Sequence, residues 1–313
     1  MNQAVHFISF AATVILLPPL LIAIIRKTKA RFQNRKGGRI LQPYYDLCKF
    51  LKKGETISKV TSWVFRSTSM INLVTMIILA ILTPWLSYRP QIPDASDIFL
   101  IVYLFALARF FTVLAALDAG SVFGGFGASR EVTVALLTEP GIVLCLASLG
   151  CVAHTSDLNR VFSYSIADNQ VLYAQPALWL LAGAGLFLSA IVELSRMPVD
   201  DPTTHLELTM IHEAMVLENS GRNLALTEYS HLLKMSILLG LSGQCFLHAI
   251  PKMWVVEGYI RSLASLIVIV LLALTIAFME SVLVKLQWKK VPEFIAYAVA
   301  MSLLCMLIAV GMR

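Results

Sequence analysis

Residues 98–117 read IFLIVYLFALARFFTVLAAL, a run of 20 residues that carries a single charge, Arg109. An α-helix rises about 1.5 Å per residue, so a run of this length can cross the roughly 30 Å hydrocarbon core of a bilayer. Apolar character that is continuous over that length predicts a membrane-spanning helix. Because a cation inside a membrane must face protein or water, we expect Arg109 to meet a carboxylate.

The rest of the chain has the same character. Of its 313 residues, 58% are hydrophobic and 14% are charged, and the mean hydropathy is +0.76. Soluble domains are less apolar and more highly charged than this. We therefore predict an all-α polytopic membrane protein that forms one integral membrane domain over residues 1–313. Its eight predicted transmembrane helices cover roughly 4–25, 68–88, 98–117, 131–153, 177–197, 232–250, 262–284 and 294–312.

The distribution of basic residues predicts the orientation of the helices. Loop 26–66 holds twelve Lys and Arg but only two acids, Asp46 and Glu55, so the positive-inside rule places this loop in the cytoplasm. With alternating spans, the cytoplasmic segments collect 18 of the 25 Lys and Arg and the opposite side collects five. Both termini are then outside the cell inner membrane. Residues 1–25 lack the basic start of a cleavable signal peptide, so we expect a retained first helix.

Two further segments have a recognisable pattern. Residues 44–53 alternate apolar and basic side chains, which predicts a short amphipathic helix at the membrane surface; the alternative is that these charges only set the orientation. Residues 118–131 contain four glycines, and we expect a tight loop that re-enters the fourth span. A dinucleotide fingerprint would need a preceding strand, which a membrane helix cannot supply.

Charged residues inside or beside the spans are the candidate functional residues, because they are costly to keep in a membrane. Glu193 and Arg196 are three residues apart, so we expect them to share a helix face and to pair. The alternative is that such pairs only neutralise each other and fix the packing of the helices. The acids continue into the second long loop, 198–231. We predict a proton or ion path formed by Arg109, Glu139, Glu193, Arg196, Asp200, Glu207, Glu213, Glu218, Lys234 and Glu280.

Metal and cofactor motifs are weak in this sequence. The five cysteines include no C-x-x-C pair, which predicts packing residues rather than metal or Fe–S ligands. His205 and His212 lie near Glu207 and Glu213, but the H-E-x-x-H pattern is absent. We therefore expect no metal and no cofactor in this chain.

Several segments resemble one known family. Residues 33–49, QNRKGGRILQPYYDLCK, resemble the first cytoplasmic loop of respiratory complex I subunit 1. Residues 193–200, ELSRMPVD, resemble the family signature E-x-x-R-x-P-F-D, with Val in place of Phe. Arg130 and Glu139 keep the nine-residue spacing of a family pair, and residues 218–221, ENSG, resemble its E-Y-S-G turn.

Within that family, residues 118–131, DAGSVFGGFGASRE, resemble the membrane subunit of group 4 hydrogenases, the branch that includes formate hydrogenlyase. The sequence also departs from the family. Thr203 and His205 stand where glutamates are usual, so that only Glu207 matches, and the segment leading to Glu218 is about three residues longer.

The resemblance implies a non-catalytic membrane anchor that couples redox chemistry to proton or sodium translocation. It implies a cytoplasmic arm of hydrogenase-like large and small subunits, with a NiFe centre and Fe–S clusters, and antiporter-like membrane subunits alongside. The arm would dock on loops 26–66 and 198–231. The docking residues that it implies are Arg35, Arg39, Gln42, Asp46, Lys49, Arg130 and Glu131.

Three alternatives remain open from the sequence. A quinone-reducing complex of the complex I type belongs to the same family. A secondary transporter would be active when purified alone. A purely structural anchor would keep ion coupling intact when Glu139 or Glu193 is replaced.

Overall fold

The computed structural model describes residues 3–87, 95–165, 170–201, 210–256 and 258–311, and it forms these ranges from helices and short connections. The long helices are α1 (Gln3–Phe32), α2 (Gln42–Lys52), α3 (Trp63–Leu82), α4 (Ile98–Asp118), α5 (Val122–Ala153), α8 (Pro176–Glu193), α10 (Gly221–His248), α12 (Gly258–Val282) and α13 (Val291–Gly311). The short ones are α6 (Leu158–Val161), α7 (Gln170–Tyr173), α9 (His212–Val216) and α11 (Lys252–Val255), and a 3-10 turn at Trp288–Lys290 precedes α13.

In the described part of the chain, seven helices are long and apolar enough to cross a membrane: α1, α3, α4, α5, α8, α12 and α13. These correspond to seven of the eight predicted spans, and they confirm the all-α, multi-pass fold. The eighth corresponds to α10, which has 28 residues and so extends for about 42 Å. This helix is more polar than the other seven because it carries Asn223, Glu228, Lys234 and Gln244. It starts eleven residues before the predicted span. On which side the termini lie stays a prediction.

The centre of the bundle is α8. In its most apolar window 61% of the residues are buried, compared with 28% for α4, α12 and α13. Helix α8 packs against α5, α10 and α13, while α3 packs against α4 and α10, and α1 against α12. The fully buried Trp179 and Leu178 of α8 belong to the main hydrophobic core. The charged ends of α8 and α10 are therefore positioned by the middle of the bundle.

The glycine-rich segment 118–131 is helical rather than a loop, which corrects the prediction. Only a turn with Gly120 at φ +65° separates α4 from α5. The glycines instead permit close packing, because a Cβ atom at Gly127 would lie 2.8 Å from the carbonyl oxygen of Ile211 and 3.0 Å from the Cβ atom of Ala214. Helix α9 thus packs directly on the first turns of α5.

The two long loops meet at one end of the bundle, which we call the loop side. The predicted surface helix is present as α2, and it packs against α1 and α10. The hydroxyl oxygen of Ser220 accepts a hydrogen bond from the Thr56 backbone N–H at 2.8 Å and donates one to the Thr56 carbonyl at 2.9 Å. Next to it, Gly221 has φ +53°, and a Cβ atom there would lie 2.6 Å from the Gly54 carbonyl oxygen. Loops 26–66 and 198–231 therefore form one continuous surface.

The acidic segment starts where α8 ends. Glu193 is the last residue of α8, and Ser195 follows with φ +47°, so the chain turns sharply away from the helix axis. The predicted path residue Glu207 lies outside the described residues, as do Thr203 and His205. The chain is described again from Met210, where it enters α9.

Candidate functional site

Arg109 is at the centre of the largest group of buried charges among the described residues. It lies on α4, and its guanidinium donates hydrogen bonds to Glu139 of α5 and to Glu193 of α8. Its Nε atom is 3.5 Å from Oε1 of Glu131, also on α5. The expectation that Arg109 meets a carboxylate is confirmed, since it faces three. We call Arg109, Glu131, Glu139, Glu193 and Lys234 the charge cluster.

Lys234 completes the charge cluster from the opposite side. Its ammonium group on α10 donates to Oε2 of Glu193 at 2.8 Å and lies 3.2 Å from the backbone carbonyl oxygen of the same residue. Glu193 is therefore held by two cations from two different helices. Both of its partners are themselves largely enclosed in the bundle, so their attraction is little screened by water.

Glu131 belongs to the charge cluster rather than to the docking surface predicted from the resemblance. Since the segment before it is helical, Glu131 lies more than two turns inside α5 and is buried at 7% exposure. A side chain in this position cannot contact a separate subunit at the end of the bundle. Its spacing of eight residues from Glu139 places both carboxylates on the face of α5 that meets Arg109.

Glu139 is the most accessible member of the charge cluster. Its side chain is 37% exposed, while the side chain of Arg109 is only 8% exposed. The neighbouring Leu136 is 73% exposed and lies on the outer surface of α5. Pro140 follows within the same continuous helix and cannot donate a backbone hydrogen bond. A carboxylate thus reaches from the cluster to the lateral surface of the membrane domain.

Arg196 does not pair with Glu193, so that prediction is wrong. Because α8 ends at Glu193, the three-residue spacing no longer places the two side chains on one face. Arg196 donates instead to Oε1 of Glu280 on α12 at 3.2 Å, and Lys29 of α1 lies 3.3 Å from Oε2 of the same carboxylate. Asp201 is 3.8 Å from Lys29. This second group of charges ties α1 and α12 to the segment after α8.

Asp200 connects two chain segments on the loop side. Its Oδ1 atom accepts a hydrogen bond from Lys285 at 2.5 Å, and its Oδ2 atom accepts one from the backbone N–H of Ile211 at 2.8 Å. Asp200 is only 2% exposed. It therefore positions the start of α9 and the connection between α12 and α13.

A large cavity opens on the loop side between α1, α2, α10 and the segments after α8 and α12. Its volume is 1620 Å³, and its lining is strongly charged. The predicted path residues Glu213 and Glu280 line it, whereas Glu218 is exposed outside it. A smaller cavity of 50 Å³ lies next to the charge cluster and is lined by Arg109, Glu131, Glu193 and Lys234 among others.

The predicted docking residues divide into two groups. Arg35, Arg39, Gln42 and Lys49 are exposed on or before α2, and Asp46 is partly buried and accepts a hydrogen bond from Gln42 at 2.8 Å. All of these remain accessible to a partner on the loop side. Arg130 is instead engaged within the chain.

The side chain of Arg130 holds two other segments against α5. It donates to the carbonyl oxygen of Met210 at 3.1 Å, and its guanidinium lies 5.8 Å from the centre of the Trp288 ring. These contacts connect the start of α5 to the end of the acidic segment and to the turn before α13.

Sequence reasoning missed three parts of this arrangement: Lys29 as a partner of Glu280, and the two neighbouring histidines His212 and His231. A signal for His231 was present, because it precedes Lys234 by three residues and so lies on the same face of α10. Among the described residues, no three His, Cys, Asp or Glu side chains are grouped so that they could hold a metal ion.

The fold and the site together define a class: a multi-pass helical membrane protein with a cluster of ion-paired charges at its centre and a charged cavity on one side. The chain belongs to the NADH dehydrogenase family, whose sequence profile matches residues 5–310. The resemblance to complex I subunit 1 proposed from the sequence motifs is thereby confirmed.

Two characterised relatives support the branch suggested by residues 118–131. The chain is 31% identical over 237 residues to hydrogenase-4 component C of Escherichia coli (strain K12), covering 76% of this chain and 73% of that protein. It is 30% identical over 225 residues to formate hydrogenlyase subunit 4 of the same organism, covering 71% and 70%. A membrane subunit of the NADH-quinone oxidoreductase of Geobacillus thermodenitrificans (strain NG80-2) is 27% identical over 225 residues, covering 66% of this chain and 61% of that protein.

The same fold occurs in a solved assembly. A chain of the membrane-bound sulfane sulfur reductase (MBS), described as an archaeal respiratory membrane complex, superposes with a TM-score of 0.74. The match covers 97% of this chain and 98% of that one at 17% sequence identity. At this level of identity the similarity establishes the fold.

Proposed function

We propose that this chain is the membrane anchor and ion-coupling subunit of a hydrogenase-like oxidoreductase complex. It carries out no redox chemistry itself. It links electron transfer in a soluble arm to the movement of protons or sodium ions across the cell inner membrane. The relatives named as components of hydrogenase-4 and of formate hydrogenlyase support this assignment.

The observation that carries the coupling role is the convergence of the charge cluster inside the bundle. Four helices, α4, α5, α8 and α10, bring three carboxylates and two cations together. Such groups are expensive to bury, and a cluster between a charged cavity and the lateral surface is suited to passing ions. Side-chain protonation, or a change of partner by Arg109, would alter the charge along this route.

The proposed partners follow from the two ends of the route. On the loop side, the joined surface of loops 26–66 and 198–231 would receive hydrogenase-like large and small subunits, which carry the NiFe centre and the Fe–S clusters. At the lateral surface, the 37% exposed Glu139 needs a polar neighbour in the membrane, and an antiporter-like subunit would supply it.

The coupling role is tested with Glu139→Gln and Glu193→Gln. Each change keeps the size and hydrogen bonding of the side chain but removes a titratable charge. The complete complex is reconstituted in proteoliposomes, and proton or sodium uptake is measured per electron transferred. We expect both variants to assemble and to translocate fewer ions per electron than the wild type.

Glu293→Gln serves as the matched control, because Glu293 is an exposed acid in the first turn of α13, outside the charge cluster. It should keep the wild-type ratio. If both cluster variants also keep that ratio, the coupling role is refuted and a purely structural anchor remains. Ion transport by the chain purified alone would instead indicate a secondary transporter.

A quinone-reducing complex is the second candidate function. The loop-side cavity favours it, since 1620 Å³ is ample for a bound organic cofactor and sites of this kind usually measure 300–1,000 Å³. The similarity to the NADH-quinone oxidoreductase of Geobacillus thermodenitrificans agrees with this candidate. Photolabelling of the complex with an azido-quinone should then modify residues that line this cavity, and labelling confined to other subunits would argue against it.

A further inference from the structure

Two histidines that the coupling role above does not use lie face to face beside the charge cluster. His212 is the first residue of α9, and His231 lies on α10. Their ring centres are 4.2 Å apart, and the ring planes are inclined by 26°. Two imidazolium rings would repel each other strongly at this separation, so the stacked arrangement requires that at least one ring be neutral.

The pair lies between the two cavities. Both rings line the 50 Å³ cavity next to the charge cluster. The residues directly around them in the chain face the other way: Ile211 and Glu213 on α9, and Glu228 and Leu232 on α10, line the loop-side cavity. The short helix α9 and the first half of α10 thus form the partition between the cavities, and the two imidazoles are the titratable groups within it that face the charge cluster.

The surroundings of the pair favour transfer rather than storage of a proton. Enclosure in the protein lowers the pKa of the His212 ring below its usual value, and the nearby Glu213 carboxylate acts in the opposite direction. The 50 Å³ cavity exceeds the volume that a single water needs, so a water can connect a ring to the cluster. The charged groups that face the pair are Arg109 of α4, Glu131 of α5, Glu193 of α8, Arg196 and Asp200 of the following segment, Glu213 of α9 and Lys234 of α10.

We propose that the stacked imidazoles of His212 and His231 form a proton-transfer site that connects the loop-side cavity to the charge cluster. The inference rests on the ion-coupling role proposed above, and it names the proton as the ion that enters by this route. A neutral imidazole can accept a proton on one ring nitrogen and release the proton that its other nitrogen carries. One proton enters from the loop-side cavity, and one leaves towards a carboxylate of the cluster. The ring returns to its starting tautomer by reorienting or by the reverse exchange.

The test replaces each histidine by Gln and, in parallel, by Asn. Both amides keep a hydrogen-bond donor and acceptor but do not titrate near neutral pH. Proton uptake per electron is measured from pH 5.5 to 8.5 on the whole complex in proteoliposomes. Because a general acid–base group contributes roughly 100-fold or more to a proton-transfer rate, a loss of about tenfold or more in uptake is expected at pH 7, with a flattened pH profile. Added imidazole should partly restore uptake in the His212→Ala and His231→Ala variants.

His154→Asn is the control, because His154 is exposed and caps α5 in a left-handed conformation that Asn also adopts. It should keep the wild-type uptake and pH profile. Any assembled variant at His212 or His231 that does the same overturns the proton-transfer site. Failure of the coupling role is recognised separately. In that case Glu193→Gln also keeps the wild-type ratio, whereas loss in Glu193→Gln with normal uptake in the histidine variants refutes only the transfer site.

Discussion

Replacing Arg109 by Met removes the cation that three carboxylates share while nearly keeping the length of the side chain. Breaking a buried ion pair by removing one partner costs about 3–5 kcal/mol, because the remaining charge is left uncompensated. Two features place Arg109→Met near the lower end. Lys234 still holds Glu193 at 2.8 Å, and the 37% exposed Glu139 can recover some hydration. Glu131, which is buried beside Arg109, bears most of the loss.

The measurement is the temperature at which the detergent-solubilised protein loses its monodisperse peak in size-exclusion chromatography. Arg109→Met should melt well below the wild type. The double variant Arg109→Met, Glu131→Gln should recover a substantial part of the difference, since it removes the stranded charge together with its partner. If Arg109→Met melts with the wild type, or if the double variant is no more stable than the single one, the charge cluster does not have the energetic role deduced from its geometry.

Four further outcomes are expected. Gly127→Ala should destabilise the protein by about 1–3 kcal/mol in thermal denaturation, because its methyl group would press on α9. Gly125→Ala, whose methyl group would meet none of the described residues within 4 Å, should be neutral or slightly stabilising, and equal effects at the two positions would contradict this. Because enclosure lowers the pKa of His212 below 6.5, stability should be complete above about pH 6.5 and fall as the pH drops towards the lowered pKa; His212→Gln should make the melting temperature less sensitive to pH in this range. Co-purification should show loss of the soluble arm after charge reversal on the loop side, and full arm stoichiometry would disprove the docking surface formed by Arg35, Arg39 and Lys49. A reporter fused to the C-terminus should be active only outside the cytoplasm, and cytoplasmic activity would reverse the predicted topology.

The membrane fold was predictable because it depends on a local property, the length of each apolar run. The same criterion misjudged the ends of two helices. The first turns of α10 carry Asn223 and Glu228, and those of α5 carry glycines, so neither segment scores as a span or as a strong helix. Both nevertheless form helices because tertiary packing stabilises them, as the contact of Gly127 with α9 illustrates.

The candidate site was predictable in its members but not in its pairs. The sequence identifies Arg109, Glu139, Glu193 and Lys234, since each is a charge in or near an apolar run. Which charge meets which depends on how four helices pack, and no spacing along the chain encodes that. The error at Arg196 has a definite cause, because the rule of three and four residues holds only within a helix and α8 stops at Glu193.

The charge cluster also has an arithmetic consequence. With every group ionised, its three carboxylates outnumber its two cations, so the cluster carries one uncompensated negative charge. The interior of a bilayer penalises such a residual charge, and a single bound monovalent cation removes it. A proton, a sodium ion or a lysine supplied across the Glu139 surface by a partner would each do so, but no two of them together. The site therefore has room for one positive guest at a time, and whichever enters must displace the previous occupant.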